Sequence, residues 1–186
     1  MRRTRSLGLL TAVLAVTAFL GNAQPATAGG GVSCDQPDMQ VRGGSSQPYM
    51  GDNIYNNTGD LQTKSRKVRA GHTDGFQILL QNDGSDCSSS YYIHGDGNSP
   101  GFTIHYYDAG LTDITGAVEA GTYQTATLGL DQSLTLSMTI KAANGTPNGA
   151  VEKALVTALT KGSSDTIGAK DTVSRRAGDA GGSRRH

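Results

Sequence analysis

The segment Leu134-Thr135-Leu136-Ser137-Met138-Thr139-Ile140-Lys141 alternates apolar and polar side chains without interruption. A β-strand sends successive side chains to opposite faces, so this pattern places all four apolar residues on one face. An α-helix would spread the same residues around its axis. The segment therefore predicts a half-buried strand whose apolar face packs on a core.

The same alternation recurs along the chain. Phe76, Ile78 and Leu80 alternate with glutamine and leucine, and the stretch from Phe102 to Tyr106 places Phe102, Ile104 and Tyr106 on one face. No amphipathic helix longer than about two turns is visible. Shorter strand candidates are Met39 with Val41, Tyr91 with Ile93, Ala154 with Val156 and Ala158, and the region of Val173.

Turn-forming residues separate these apolar stretches. Asn82-Asp83-Gly84, Gly95 to Asn98, Asp108-Ala109-Gly110 and Asn144-Gly145 tolerate the backbone angles that tight turns require. Strands of this kind bury one face each most economically when two sheets pack together. The sequence predicts an all-β fold, an antiparallel β-sandwich of about seven to nine strands.

The N-terminal region has the features of a bacterial export signal. The basic start Arg2 to Arg5 precedes the apolar run Leu7–Leu20, and Ala26-Thr27-Ala28 supplies the small residues that signal peptidase requires. We expect residues 1–28 to be a signal peptide, and the protein to be secreted with no membrane anchor after its removal. A transmembrane helix is the alternative, although no stop-transfer pattern supports it.

Charge disfavours nucleic acid as a partner. The full chain has 16 Lys and Arg and 16 Asp and Glu, so removal of three signal arginines leaves a net charge of −3. Phosphate neutralisation needs a net basic surface. The run from Lys64 to Arg69 is a local exception. It indicates either a solvated strand edge or a contact for an acidic cell-wall polymer.

Catalytic motifs are missing from the chain. The best candidate region for an enzyme or inhibitor runs from His94 through Asp96 to Asp108, but it contains neither a nucleophile in a known context nor a full metal-ligand set. No phosphate-binding loop or other cofactor motif is present. We therefore predict a non-enzymatic protein without a cofactor, and interpret His94 and Asp96 as turn residues without partners.

Carboxylates on adjacent loops suit a calcium ion. Asp83, Asp86 and Asp96 flank the predicted Tyr91 strand, but their spacing matches no calcium motif. Asx-turns are the simpler explanation, so no metal is predicted.

Two tyrosines are candidate binding residues. Alternation turns Tyr91 and Tyr106 towards the core, which leaves Tyr92 and Tyr107 pointing outwards. If their strands pair, both rings would lie on one exposed face, where they could contact sugars or protein.

The chain contains four successive landmarks: Pro37 to Arg42, Tyr49 to Asn56, Gln81 to Gly84 and Gly101 to Asp108. They resemble an immunoglobulin-like repeat of large secreted bacterial proteins. The likeness is to adhesion-related and alpha-galactosidase-associated modules, and it covers residues 37–177. Residues 29–36 are then a flexible leader, and residues 178–186 a disordered polar tail.

The resemblance implies a spacer, an adhesion element or an accessory domain. Such modules commonly occur in tandem, whereas this chain holds one copy, which favours binding over spacing. We expect extracellular interaction, adhesion or surface structure, with an unknown extracellular protein or polysaccharide as partner. The alternative is a secreted enzyme or inhibitor that uses the region from His94 to Asp108, and turnover by the pure protein would reveal it.

The two cysteines generate a testable prediction. Cys34 and Cys87 both lie in the exported part, where an even pair most often forms a disulfide; two free thiols are the alternative. Closing this loop should stabilise the fold by roughly 4 kcal/mol. We expect reductant to lower the melting temperature without abolishing the fold. Mass spectrometry under non-reducing conditions checks the bond directly, and two free thiols there would refute it.

Overall fold

The computed structural model describes residues 35–85 and 87–175. In this part of the chain, nine strands and one short helix form. The all-β prediction is confirmed, and the strand number lies within the expected range. The elements are β1 Pro37–Arg42, β2 Thr63–Val68, β3 Thr73–Asn82, β4 Tyr92–Gly95, β5 Phe102–Tyr107, α1 Thr115–Glu119, β6 Tyr123–Gln124, β7 Ser133–Ala142, β8 Val151–Leu159 and β9 Ser164–Val173.

Some expectations fall outside the described residues. These are the signal peptide 1–28, residues 29–34 of the leader, the tail 178–186, Cys34 and Asp86. Cys87 is not a free thiol, but the predicted bond from Cys34 stays a prediction.

The strands form two sheets. The four-stranded sheet has the order β1-β3-β7-β5, and the five-stranded sheet has the order β2-β9-β8-β4-β6. All pairings are antiparallel except that of β2 with β9, which run parallel with Val68 beside Val173. The ends of β2 and β9 therefore lie side by side.

The two sheets pack through their apolar faces. Leu136, Met138 and Ile140 of β7 are buried, as their alternation predicts, and they belong to one core cluster with Val156 and Ile167 of the five-stranded sheet. Burying each such side chain contributes about 1.5–3 kcal/mol. The alternating residues of β3 and β5 and the pair Tyr91 and Ile93 are buried as well.

A buried carboxylate fixes the segment that crosses between the sheets. Asp165 at the start of β9 accepts hydrogen bonds from the backbone N–H of Met39 at 2.7 Å, the backbone N–H of Asn56 at 3.1 Å and the Gln62 amide at 2.9 Å. Burial raises the pKa of Asp165, and these hydrogen bonds oppose that shift. The carboxylate thus joins β1, β9 and residues 43–62, which connect β1 to β2.

Two carboxyl groups also meet between the sheets. Asp171 of β9 is fully buried, and no described residue donates a hydrogen bond to either of its oxygens. Arg66 of β2 donates to both oxygens of Asp74 at 3.1 and 3.3 Å. Burial, and then the negative charge of Asp74, raise the pKa of Asp171, and Arg66 opposes this shift. A protonated Asp171 can donate to the Asp74 carboxylate, which supplies the missing partner.

This carboxyl pair predicts that stability depends on pH. An unfolded aspartate titrates near pH about 4, and the folded pKa of Asp171 is higher. Its stabilising contribution is therefore complete below about pH 4 and is lost as pH rises through the folded pKa. The change Asp171→Asn keeps a donor towards Asp74 but does not titrate. We expect it to raise the melting temperature by roughly 3–6 °C at about pH 8, with little effect at about pH 5.

Thermal unfolding followed by circular dichroism at both pH values checks this expectation. Asp60→Asn is the control, because Asp60 is an exposed carboxylate in the crossing segment. If the melting temperature depends on pH equally in the parent and in Asp171→Asn, Asp171 does not donate a proton to the Asp74 carboxylate.

Candidate functional site

The structure separates the two candidate tyrosines. Tyr92 lies on β4 of the five-stranded sheet with 47% of its surface exposed, whereas Tyr107 lies half-buried on β5 of the other sheet. Since β4 and β5 do not pair, the idea of a shared exposed face is wrong: the two rings lie on opposite outer faces. A binding role for each tyrosine by itself stays a prediction.

The region from His94 to Asp108 does not converge on a site either. The Asp108 carboxylate accepts the backbone N–H groups of Gly110 and Thr112 at 2.9 and 2.8 Å, which makes it a turn residue. Asp96 accepts the backbone N–H of Leu155 at 2.8 Å, so the expectation that it has no partner is wrong. His94 is exposed and pairs with Thr157 of β8 through its backbone, and its imidazole forms no hydrogen bond with any described residue.

The described residues contain no group of three His, Cys, Asp or Glu side chains that could hold a metal ion. Of the calcium candidates, Asp83 accepts a hydrogen bond from the Tyr55 hydroxyl, and Asp96 bonds to Leu155. Both carboxylates therefore have roles in holding loops.

A pocket of about 490 Å³ lies where the ends of β2 and β9 meet the connection between β7 and β8. We call it the basic pocket, because its lining includes Arg69, His72 and Arg175 and no carboxylate. The full lining is Arg69, Ala70, His72, Gly145, Thr146, Pro147, Asn148, Val173, Ser174 and Arg175.

Parallel pairing builds one wall of the basic pocket. The β2–β9 ladder continues past the strands, since the Ser174 N–H donates to the Val68 carbonyl at 2.8 Å. Arg69 and Arg175, which follow the two strands, therefore lie at the same end of the sheet. Asn148 closes the opposite wall by accepting the Arg175 backbone N–H at 2.9 Å.

A tight turn positions His72 in the basic pocket. Arg69 to His72 forms a turn in which the His72 N–H donates to the Arg69 carbonyl at 3.0 Å. Gly71 has a φ of +79°, and a Cβ there would lie 2.3 Å from the Asn144 side-chain oxygen. The positive φ favours glycine at this position, and a larger residue would also displace the exposed Asn144 side chain. The backbone around the pocket is fixed, while the three basic side chains are exposed.

The charges of the basic pocket are uncompensated within the described chain. Arg69, His72 and Arg175 form no ion pair with any described residue, in contrast to Arg66, which binds Asp74. Four acidic residues lie at the opposite end of the sheets, where β1 and β7 begin and β3 and β5 end. They are Asp35, Asp83, Asp108 and Asp131.

One part of this site is visible in the sequence. The run from Lys64 to Arg69 indicates a strand edge or a polymer contact, and β2 is an edge strand. Arg66 in that run is not solvated but paired with Asp74. Arg175 is not predicted from the sequence, because only the parallel pairing of β2 with β9 brings it beside Arg69. His72 reaches the site through the local turn that begins at Arg69.

No helix of the described residues is long and apolar enough to cross a membrane. No family model and no curated protein matches the chain. Among solved structures it is similar to a family 123 glycoside hydrolase from Clostridium perfringens, at 9% identity and a TM-score of 0.39 over 61% of this chain and 23% of the hydrolase. It is also similar to AvmM, which catalyses macrocyclization in alchivemycin A biosynthesis, at 9% identity and a TM-score of 0.45 over 76% of this chain and 90% of AvmM. Neither similarity indicates an activity for this chain.

The contact of Asp96 with Leu155 gives a prediction for the turn after β4. We expect Asp96→Ala to destabilise the fold by about 1 kcal/mol, because the Leu155 N–H loses its acceptor. Asp96→Asn retains an acceptor oxygen and should recover most of this loss, while His94→Ala should leave the unfolding free energy unchanged. Urea unfolding of the three variants measures these differences, and equal losses in Asp96→Ala and His94→Ala would contradict the assignment.

Proposed function

We propose that the protein is a secreted, non-enzymatic, immunoglobulin-like module that binds an anionic extracellular ligand through its basic pocket. Strand order supports the immunoglobulin-like part. Such domains pair strands A, B, E and D in one sheet and G, F and C in the other. Taken in chain order, β1, β3, β4, β5, β7, β8 and β9 occupy the positions of strands A to G.

The extracellular and non-enzymatic parts have separate support. The signal-like N-terminus favours export. The carboxylates of Asp96 and Asp108 accept backbone N–H groups, so both side chains have structural roles. Interaction rather than catalysis is therefore the function that the chemistry of the fold favours.

The single observation that carries the binding proposal is the composition of the basic pocket. Two guanidinium groups and an imidazole line it without any carboxylate. Neighbouring like charges repel, so an anionic ligand between them would be bound favourably. Guanidinium groups bind carboxylate, sulfate or phosphate oxygens in a bidentate manner. A volume of about 490 Å³ falls in the range of small-ligand sites, large enough for an acidic sugar or side chain.

Binding of the mature protein to immobilised polygalacturonate tests this function. We expect Arg69→Ala or Arg175→Ala to weaken binding by about tenfold, the loss of one charge-assisted hydrogen-bonded contact. Arg69→Lys keeps the charge but loses the planar guanidinium group. Its binding should be weaker than that of the parent and stronger than that of Arg69→Ala.

Lys161→Ala is the matched control, because it removes one exposed positive charge from the turn between β8 and β9 at the opposite end of the sheets. If Lys161→Ala weakens binding as much as Arg69→Ala, the interaction depends on net charge alone and the basic pocket is not the site.

A further inference from the structure

Three lysines form a cluster on the outer face of the five-stranded sheet. Lys153 of β8 is directly opposite Lys170 of β9, and Lys170 is opposite Ser65 of β2. Lys67 lies two residues beyond Ser65 on the same face of β2, which makes it the diagonal neighbour of Lys170. Lys67 and Lys153 are exposed, and Lys170 is half-buried. We call these three residues the lysine cluster.

The fold does not neutralise the lysine cluster. Like charges directly opposite each other destabilise a sheet, yet no Asp or Glu occupies an outward-facing position of β2, β8 or β9. The acidic residues of these strands, such as Asp165 and Asp171, point inwards. None of the three lysines forms an ion pair with a described residue. Their repulsion is a cost that a bound polyanion would remove.

The lysine cluster is continuous with the basic pocket. Ser65 and Lys67 occupy outward-facing positions of β2. Arg69 of the pocket follows two residues later, at the next position on the same face. Side chains on such a surface are about 5 Å apart when directly opposite and about 7–8 Å apart on the diagonal. Positive charges therefore continue from the pocket across the sheet at intervals that an extended polymer, charged on each unit, can match.

The surroundings of the lysines favour a sugar polymer over nucleic acid. Hydroxyl groups of Ser65 and Thr172 lie beside the lysines and can bind sugar hydroxyls or oxyanions. Single-stranded nucleic acid is usually held by aromatic rings on which bases stack. The exposed tyrosine on this sheet, Tyr92, pairs with Leu159, six residues from Lys153 along β8 and hence about 20 Å away.

We propose that the lysine cluster and the basic pocket form one continuous binding surface for a linear acidic polysaccharide. The pocket holds one acidic unit through Arg69 and Arg175, and the lysines bind the acidic groups of the units that follow. This inference rests on the proposed function and adds the class of ligand and the direction in which the chain of the ligand runs.

Polygalacturonate oligomers of different length test the surface. We expect the parent protein to bind a dodecamer at least about tenfold more tightly than a dimer, because only the longer chain reaches the lysines. The double change Lys153→Gln/Lys170→Gln should leave dimer binding unchanged and abolish most of this gain. Arg69→Ala should weaken binding of both oligomers. Fluorescence anisotropy with end-labelled oligomers measures each dissociation constant.

Lys141→Gln/Lys161→Gln is the control, since it removes two exposed charges outside the proposed surface. Melting temperatures of all variants verify that they are folded, and the control should bind both oligomers as the parent does.

The possible outcomes separate the two proposals. If the Lys153→Gln/Lys170→Gln variant binds the dodecamer like the parent while Arg69→Ala weakens both oligomers, the extended surface is wrong and the pocket stands. If Arg69→Ala also binds like the parent, or if the parent binds neither oligomer, both proposals are wrong. Tighter binding to single-stranded DNA of equal charge than to the dodecamer would overturn the choice of polysaccharide.

Discussion

The Asp165 carboxylate is the constraint on which the arrangement of the two sheets depends. It lies in the interior, where an isolated charge is costly, and its cost is offset by three donors from two separate parts of the chain. Met39 belongs to the four-stranded sheet, Asp165 itself to the five-stranded sheet, and Asn56 and Gln62 to the segment between them. The hydrogen bonds are directional, so they fix where this long segment crosses from one sheet to the other, which apolar packing alone would not specify.

The crossing segment in turn decides the position of the site. Gln62 immediately precedes β2, and its backbone carbonyl accepts the Gly168 N–H at 3.0 Å, which begins the parallel pairing with β9. Once that register is set, Val68 comes beside Val173 and the basic residues that follow both strands become neighbours. A shift of β2 by one residue would turn Lys67 inwards and Arg66 away from Asp74. One buried carboxylate thus influences both the internal ion pair and the external basic surface.

The sequence predicted those strands that have one face against the core and the other against solvent. Leu136, Met138 and Ile140 alternate because one face of β7 meets the core and the other meets solvent, and the same holds for β3 and β5. β9 was scarcely visible, because Asp165 and Asp171 point inwards there and break the apolar pattern. Their burial depends on partners that are distant in sequence, so the alternation of residues within β9 does not predict it.

The candidate site was less predictable than the fold for a related reason. The prediction for Tyr92 and Tyr107 failed at the pairing of strands: alternation gives the face of each residue within its own strand but not the sheet to which a strand belongs. The basic pocket joins residues that follow β2, precede β3 and follow β9, so it exists only after three long-range pairings have formed. A charge run such as Lys64 to Arg69 shows part of it, yet gives no sign that Arg66 is used internally.

Asp83 and Asp131 at one end of the sheets, with Arg69 and Arg175 at the other, contribute an electric dipole moment along the described part of the chain. In the field of a negatively charged surface such a body experiences a torque before it makes contact, so that the end with Arg69 and Arg175 turns towards the surface and the end with Asp83 and Asp131 turns away. Within roughly 8–10 Å of the surface at physiological ionic strength this orienting field is still effective, and beyond that salt screens it. The distribution of charge would therefore set the orientation in which the protein first contacts the surface. The basic loops would face the surface, and the acidic loops would face away from it.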